Sequence, residues 1–263
     1  MQSCHLPAAI GRVEDALDTV LGAKVVEATV ESAIANVQAV IGQALDKSDR
    51  ISVLEAGCGS CTHFDLGRDA FLVGIDISQA QLDRNVVLNE KICADLETHE
   101  LPTAQFDLVF CWYVLEHLRQ PNKALARLAA TLRKDGLLVI SVPCVWSLKG
   151  LVTKLTPHWV HILVYRWLLG RRNAGRDDCA PFPTFLKWST RPSAVRRFAH
   201  KNDLAIEFFQ TFEDFTQRKL RTKYKTIRLI YKVAYAMAMV VSVGRYNVYL
   251  TDYAIVLRKL RGV

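Results

Sequence analysis

From residue 51 to residue 143, short apolar runs alternate with stretches of helical periodicity, and this alternation constrains the fold more than any other feature of the chain. The runs are "ISVLEA" (51–56), "FLVGID" (71–76), "FDLVFCW" (106–112) and "LLVISVP" (137–143). They are short, branched or aromatic, and nearly continuous in hydrophobicity, as strands covered on both faces must be. Between them lie "SQAQLDRNVVL" (78–88), with Ser78 placed as an N-cap, and "NKALARLAATLRKDG" (122–136), with Gly136 placed to end a helix. Strands separated by helices join in parallel, and the crossovers lay the helices on both sides of the sheet. The expected class is therefore α/β, a doubly wound, mostly parallel sheet.

The flanks depart from that rhythm. Residues 13–45 carry apolar positions at helical spacing (Val26, Val30, Ile34, Val37, Ile41), which predicts two helices broken near Gly22. After Pro143 no strand–helix–strand unit is legible until a helix at 189–202, the strand "LAIEFFQ" (204–210), a long helical stretch at 218–243 and the strand "DYAIVLRK" (252–259). The organisation expected is an N-terminal helical segment (1–48) followed by one domain (49–263). That domain would carry a helical and loop cap inserted at about 144–188 and a helical excursion at about 216–245.

In a parallel sheet, ligands bind beyond the carboxyl ends of the strands. Three such ends carry acids. "VLEAGCGSC" (53–61) puts Glu55 at the end of the first strand, followed by Gly57 and Gly59, which free the main chain for close approach. Asp76 ends the next strand, where a carboxylate can accept both hydroxyls of a ribose. Asp95, in "ICADLETHELP" (92–102), falls where the third strand ends, before an acidic, partly apolar loop. A dinucleotide loop of the form G-x-G-x-x-G would need a glycine at Thr62 and would not set a carboxylate beside a diphosphate. The loop suits a cationic ligand.

These segments, with "FDLVFCWYVLEHL" (106–118) and "LRKDGLLVISVP" (132–143), make residues 51–143 resemble the class I S-adenosylmethionine-dependent methyltransferases, in the broad group that includes ubiquinone-pathway enzymes. The resemblance implies a seven-stranded Rossmann-like sheet whose antiparallel last strand "DYAIVLRK" would supply. It implies S-adenosylmethionine as cofactor, with Glu55, Gly57 and Gly59 along its methionine part and Asp76 on its ribose. Ile77 would lie against the adenine, Asp95 and Leu96 at the adenine edge, and Cys111 and Trp112 beside the cofactor and the substrate entrance. Two positions depart from the family: Cys61 stands where a third loop glycine is usual, and Asp135–Gly136 where a glycine pair is usual.

The acceptor is sought in the remaining segments. His117, in "WYVLEHL", is placed near the site as a base, a substrate contact or a helix-start residue bonded to backbone. In "TPHWVHILVYRWLLGRR" (156–172), Thr156 is placed as N-cap and Pro157 at the first helical position. His158 and His161 share a face there, as a base or as part of an aromatic lid whose tryptophans line the acceptor pocket. Cys58 and Cys61 form a C-x-x-C with no second ligand pair, so Cys58 is read as a small residue packed in the cofactor loop and no metal is expected. Seven cysteines at irregular spacing argue against a disulfide framework and for a reducing, cytoplasmic setting, and no signal peptide is legible at the start.

The net charge of +8 conceals a split. Residues 1–144 hold 12 Lys and Arg against 19 Asp and Glu, whereas residues 145–263 hold 22 against 7. A basic half attracts anionic partners. Nucleic acid is disfavoured, because "CWYV" stands where base-amine methyltransferases carry an Asn/Asp-Pro-Pro-aromatic run. The apolar part of the long helix, 233–243, is too short to span a bilayer. It is either a core helix with a solvated basic lead-in or an interfacial helix on anionic membrane. The expected activity is methyl transfer to a small-molecule or lipid-linked acceptor at oxygen. The alternatives are an inactive binding or scaffold protein of this fold and, behind it, a nicotinamide-dependent oxidoreductase.

Overall fold

The structure, a computed structural model, describes residues 28–45, 50–62, 64–66, 69–176, 179–243 and 245–260. The expected first N-terminal helix and the break near Gly22 lie outside them. The strands are β1 (Arg50–Ala56), β2 (Asp69–Asp76), β3 (Glu90–Cys93), β4 (Phe106–Trp112), β5 (Leu132–Pro143), β6 (Leu204–Phe212) and β7 (Asp252–Lys259). They form one sheet in the order β3-β2-β1-β4-β5-β7-β6. All neighbours pair in parallel except β7, which runs antiparallel to β5 and to β6. The doubly wound sheet with an antiparallel last strand is thus as expected, and "DYAIVLRK" spans β7.

Alternation along each strand divides the core into two layers. Leu54, Val109, Cys111, Ile140 and Ile255 face α3 (Pro121–Thr131) and α6 (Pro192–Lys201), through Ala124, Leu128, Val195 and Ala199. Val53, Phe110, Trp112, Val139 and Val256 face the other way, onto Ala33, Val37 and Ile41 of α1 (Val30–Ala44). Helix α1 starts with a reciprocal capping box between Thr29 and Ser32. A short helix α2 (Gln79–Arg84) begins at the Ser78 N-cap, whose hydroxyl accepts from the Gln81 amide.

Several boundaries differ from the sequence reading. Helix α2 stops at Arg84, not near Leu88, because buried Asn85 turns the chain and bonds its amide nitrogen to the Gly59 carbonyl, while Leu88 packs with Cys58 and Leu82. Helix α3 ends at Thr131, and Leu132 already pairs with Phe106. The register then jumps, so that Leu108 pairs with Leu137, and Asp135 takes a left-handed φ of 64° in the bulge. Gly136 does not cap a helix. A Cβ there would stand 3.0–3.3 Å from the carbonyl oxygens of Arg133, Phe106 and Asp107, so its role is close backbone approach.

After β5 the cap holds α4 (Leu148–Leu155) and α5 (His158–Leu163), which continues as a π-helical turn through Val164–Leu168. Pro157 is the N-cap of α5 and His158 its first residue, one position later than expected. A 3-10 turn, Trp188–Thr190, precedes α6, so this helix starts at Pro192 rather than at 189. The long helix expected over 218–243 is two, α7 (Phe215–Lys223) and α8 (Lys225–Val241). The break falls at Tyr224, whose extended backbone starts α8 and whose hydroxyl donates to the Leu168 carbonyl of the cap.

Candidate functional site

The parallel strands all deliver their carboxyl ends to one edge of the sheet, and antiparallel β7 starts there. Strand order reverses between β1 and β4, the position where this architecture opens a crevice. A cavity of about 1760 Å³ occupies that edge. Its walls are the loop after β1, the segment after β4, the cap, and the facing sides of α7 and α8. Ligand sites commonly measure roughly 300–1,000 Å³, so there is room for two ligands side by side.

The β1 loop forms one wall through Gly57, Cys58, Gly59, Ser60 and Cys61. Gly57 and Gly59 have φ of +64° and +56°, in the left-handed region that favours glycine. They serve differently. A Cβ on Gly57 would stand 2.4 Å from Val114 Cγ2, so this glycine lets the loop pack on the β4 segment. A Cβ on Gly59 would meet only Gln81 Oε1, at 3.7 Å, so this glycine presents bare main chain beside open space. Asp76 braces the loop from behind: Oδ2 accepts from the Gly59 amide and Oδ1 from the Ser78 amide, both at 2.9 Å. An ionised carboxylate has about four acceptor directions, so two remain for hydroxyls. An open glycine cradle with a carboxylate at its base fits the ribose and amino-acid part of S-adenosylmethionine.

Of the other residues expected at the cofactor, Cys58 and Trp112 line the cavity, and Glu55, Ile77, Asp95, Leu96 and Cys111 do not. Glu55 is buried at the end of β1, while Ile77 is 73 % exposed just after β2. Asp95 turns its own loop, Oδ1 accepting from the Glu97 amide at 2.8 Å, and Leu96 is buried in the core. Cys111 is enclosed in the α3-side core and lines no part of the cavity, because strand alternation turns it away from its neighbour. Trp112 does reach the wall, packed between Phe64 and Phe212. Burial lifts the Cys58 thiol to about 12, helped by Asp76 and Glu55, so at neutral pH it is a small packing group rather than a thiolate.

The second wall is polar, and most of it escaped the sequence reading. Tyr113 follows β4 with φ 56°, a strained value for a tyrosine. Its hydroxyl donates to Asp252 Oδ2 at 2.7 Å. Lys149 Nζ stands 3.0 and 3.1 Å from the two Asp252 oxygens and 3.3 Å from Asp214 Oδ2. Burial depresses the lysine, but the two carboxylates outweigh it and hold the ammonium well above its ordinary range. Four elements thus meet at one charge cluster: the β4 end, α4, the α7 N-cap and the β7 start.

Beside it lies Glu116, 4 % exposed, with Oε2 buried and without a hydrogen-bond partner. Burial, reinforced by Asp252 and Asp214 against the opposing pull of Lys149, lifts its carboxyl to about 8. Its main-chain carbonyl accepts from the Phe185 and Leu186 amides, tying the returning strand of the cap to the β4 segment.

The three candidate histidines separate. His117 lines the cavity, and its Nδ1 lies 2.7 Å from the Pro183 carbonyl. A carbonyl only accepts, so Nδ1 carries the proton, and burial holds the ring pKa below its ordinary value. The neutral ring therefore has a basic Nε2. His161 also lines the cavity, with Nε2 2.7 Å from Thr156 Oγ1. That hydroxyl donates its one hydrogen to the Val152 carbonyl, so it accepts from Nε2. His158 is not on the wall and packs edge to face with His161, at 6.2 Å. The cap tryptophans do not line the cavity: Trp146 and Trp188 pack on each other, and Trp159 and Trp167 point outward. The aromatic lining comes instead from Trp112, Tyr113, Tyr165, Phe182 and Tyr231.

Comparison with known proteins accords with this arrangement. The sequence model of the family described as "Methyltransferase domain" matches residues 30–175. The chain belongs to that family. An uncharacterized protein of Methanocaldococcus jannaschii is 36% identical over 90 residues, 34% of this chain and 40% of the relative. The mitochondrial ubiquinone biosynthesis O-methyltransferase of Schizosaccharomyces pombe is 35% identical over 101 residues, 34% of this chain and 36% of the relative. The match thus spans well under half the length of these relatives. Among solved structures, coclaurine N-methyltransferase bound to N-methylheliamine and SAH has a TM-score of 0.52 at 16% identity, covering 90% of this chain and 76% of that one. The [4+2]-cyclase SpnF has a TM-score of 0.51 at 15% identity, covering 95% and 94%. A putative methyltransferase of Bacillus halodurans has 0.51 at 15% identity, covering 85% and 99%. These likenesses carry the fold, which is the methyltransferase fold expected from residues 51–143.

Proposed function

We propose that the protein transfers the methyl group of S-adenosylmethionine to an oxygen of a small-molecule or lipid-linked acceptor held between the sheet edge and the cap. The observation that carries this reading is that the glycine wall and the polar wall face one cavity. The cofactor would rest on Gly57 and Gly59, with Asp76 toward its ribose. Glu55, Cys58, Ile77, Asp95, Leu96, Cys111 and Trp112 stay in this reading as the surrounding family positions, Cys111 only as packing behind Trp112. When bound, the cofactor supplies an electrophilic methyl on a sulfonium.

The chain's own contribution is placement and proton handling. An acceptor hydroxyl must lose its proton as the new carbon–oxygen bond forms. His117, neutral and protonated at Nδ1, has the free Nε2 that this requires. Glu116, uncharged at neutral pH, can donate a hydrogen bond that orients the acceptor without attracting a cation away from the cofactor wall. His161, on the cap wall, is a positioning group, and His158 supports its ring.

The test is calorimetry with S-adenosylmethionine, S-adenosylhomocysteine and NAD, followed by turnover with phenolic and polyprenyl-phenolic acceptors. Binding of NAD in preference to S-adenosylhomocysteine would overturn the reading. A second reading is a protein of this fold that does not transfer methyl groups. It is favoured by the [4+2]-cyclase among the similar structures, since function resides in the site and not in the fold. S-adenosylhomocysteine binding without methyl transfer to any acceptor would favour it.

A further inference from the structure

Neither the cap nor the α7–α8 excursion finishes burying its apolar residues. On α5, His161, Val160, Val164 and Tyr165 face the cavity, while Trp159 (62 % exposed), Leu163 and Trp167 (80 % exposed) follow one another at a spacing of four along the outer side. Leu155, at the end of α4, is exposed beside them in sequence. On α8, Tyr231, Ala234, Tyr235 and Ala238 pack inward on Val248 and Tyr249. The opposite side presents Ile230, Val233, Met237, Val240 and Val241, all exposed. The helices that carry these rows border the same cavity, because Val160 and Val164 from one and Ile227 and Ile230 from the other line it. They are also joined directly: Tyr224, at the start of α8, donates to Leu168 at the end of the cap helix.

The charge along these segments has one sign. Residues 145–176 and 215–251 contain no Asp or Glu, yet hold 6 and 8 Lys and Arg. Lys149 and Arg221 are committed to Asp252 and Glu213 inside the molecule. Lys154, Arg172, Lys219 and Lys225 are exposed. Outward tryptophans among aliphatic side chains, on segments rich in lysine and arginine that contain no Asp or Glu, match the headgroup region of an anionic bilayer. A second copy of the chain fits less well, since it would oppose two basic segments that contain no Asp or Glu. No helix among the described residues is long and apolar enough to cross a membrane, so the contact would lie in the interface plane.

We infer that the outer faces of the cap helix α5 and of helix α8 dock together on the surface of an anionic lipid bilayer, bringing the cavity mouth to the membrane. Docking does not depend on methyl transfer, and it deepens that reading by giving a lipid-linked acceptor a route into the cavity without leaving the bilayer.

The experiment is partition of the full chain onto phosphatidylcholine vesicles with and without phosphatidylglycerol, at low and high salt, read by co-sedimentation and tryptophan emission. The expected result is binding to the anionic vesicles only, with a blue shift, lost at high salt because surface attraction is screened. Trp159→Ser with Trp167→Ser should abolish the blue shift. Lys219→Glu with Lys225→Glu should weaken partition at least about tenfold, since each basic residue near an anionic surface contributes roughly a fivefold factor. Both pairs are on the surface, so an unchanged melting temperature and unchanged S-adenosylhomocysteine binding keep a loss of docking separate from a failure of fold or of the proposed function. The inference is overturned if the wild type ignores anionic vesicles at low salt, if the tryptophan variants bind them equally well, or if sedimentation velocity shows a dimer that these same tryptophans hold together.

Discussion

Glu116→Gln should make the protein less sensitive to alkaline pH, and the size of the effect follows from the site. The Glu116 carboxyl titrates near 8 in the fold, against an ordinary 4.5. Between those values the folded protein holds a proton that the unfolded chain has released. Stability therefore falls as pH rises through this window, and the effect is absent below it. From pH 5 to pH 8 the linkage integral comes to roughly 3–4 kcal/mol for this one group. Glutamine is nearly isosteric and does not ionise. The assay is urea unfolding of both proteins from pH 5 to pH 8.5. Asp252, Asp214, Lys149, Tyr113 and Cys111 surround the carboxyl in both, so the difference between the two curves isolates Glu116. Wild type should lose roughly 3–4 kcal/mol relative to the variant across the range. Curves parallel to within about 0.5 kcal/mol would refute the claim that burial keeps this group neutral.

The remaining predictions concern the two walls separately. Gly59→Ala should cost roughly 1 kcal/mol of stability through its left-handed backbone, yet weaken S-adenosylhomocysteine binding at least about tenfold by calorimetry, because a methyl group enters the open cradle. Asp76→Asn should lower affinity by roughly 2 kcal/mol, since it removes a charged acceptor from the Gly59 and Ser78 amides and from the proposed ribose hydroxyls. His117→Ala should lower kcat at least about a hundredfold, with S-adenosylhomocysteine affinity unchanged, and remove the acid limb of the pH–rate profile. Lys149→Met should destabilise by roughly 3 kcal/mol at neutral pH, by leaving Asp252 and Asp214 without their cation, and by less in acid as Asp252, whose carboxyl burial raises above its ordinary value, protonates; denaturation at two pH values tests it.

How far the sequence could be read depended on whether a feature was local. Strands β1, β2, β4 and β7 were legible because each is an uninterrupted apolar run ended by a change in composition, and β7 matched its quoted segment residue for residue. Helix ends were read less well, since tertiary pairing set them: Leu132 left its helix for a strand pair with Phe106, and Tyr224 broke a helix whose periodicity ran straight through it. The Gly57–Gly59 loop was legible, because the positive φ that selects glycine is a property of single residues. Cys111 was misplaced for want of the strand's exact phase, which decides whether it or Trp112 faces the crevice.

The polar wall was illegible for a different reason. Tyr113, Glu116, Lys149, Asp214 and Asp252 come from segments up to 139 residues apart and share no motif. Each looks like an ordinary surface residue until the sheet topology brings the strand ends together. Their assembly is costly, since burying an ion pair removes two charges from water and rarely repays that in stability. A cluster that costs stability and sits on the wall of a large cavity is better explained by what it holds in place. Lys149 clamps the cap helix α4 to the β7 start and to the α7 N-cap, while Tyr113, held in a strained backbone, points its hydroxyl into the same carboxylate. The cap that would choose the acceptor is thereby anchored to the strand ends beside the glycine cradle.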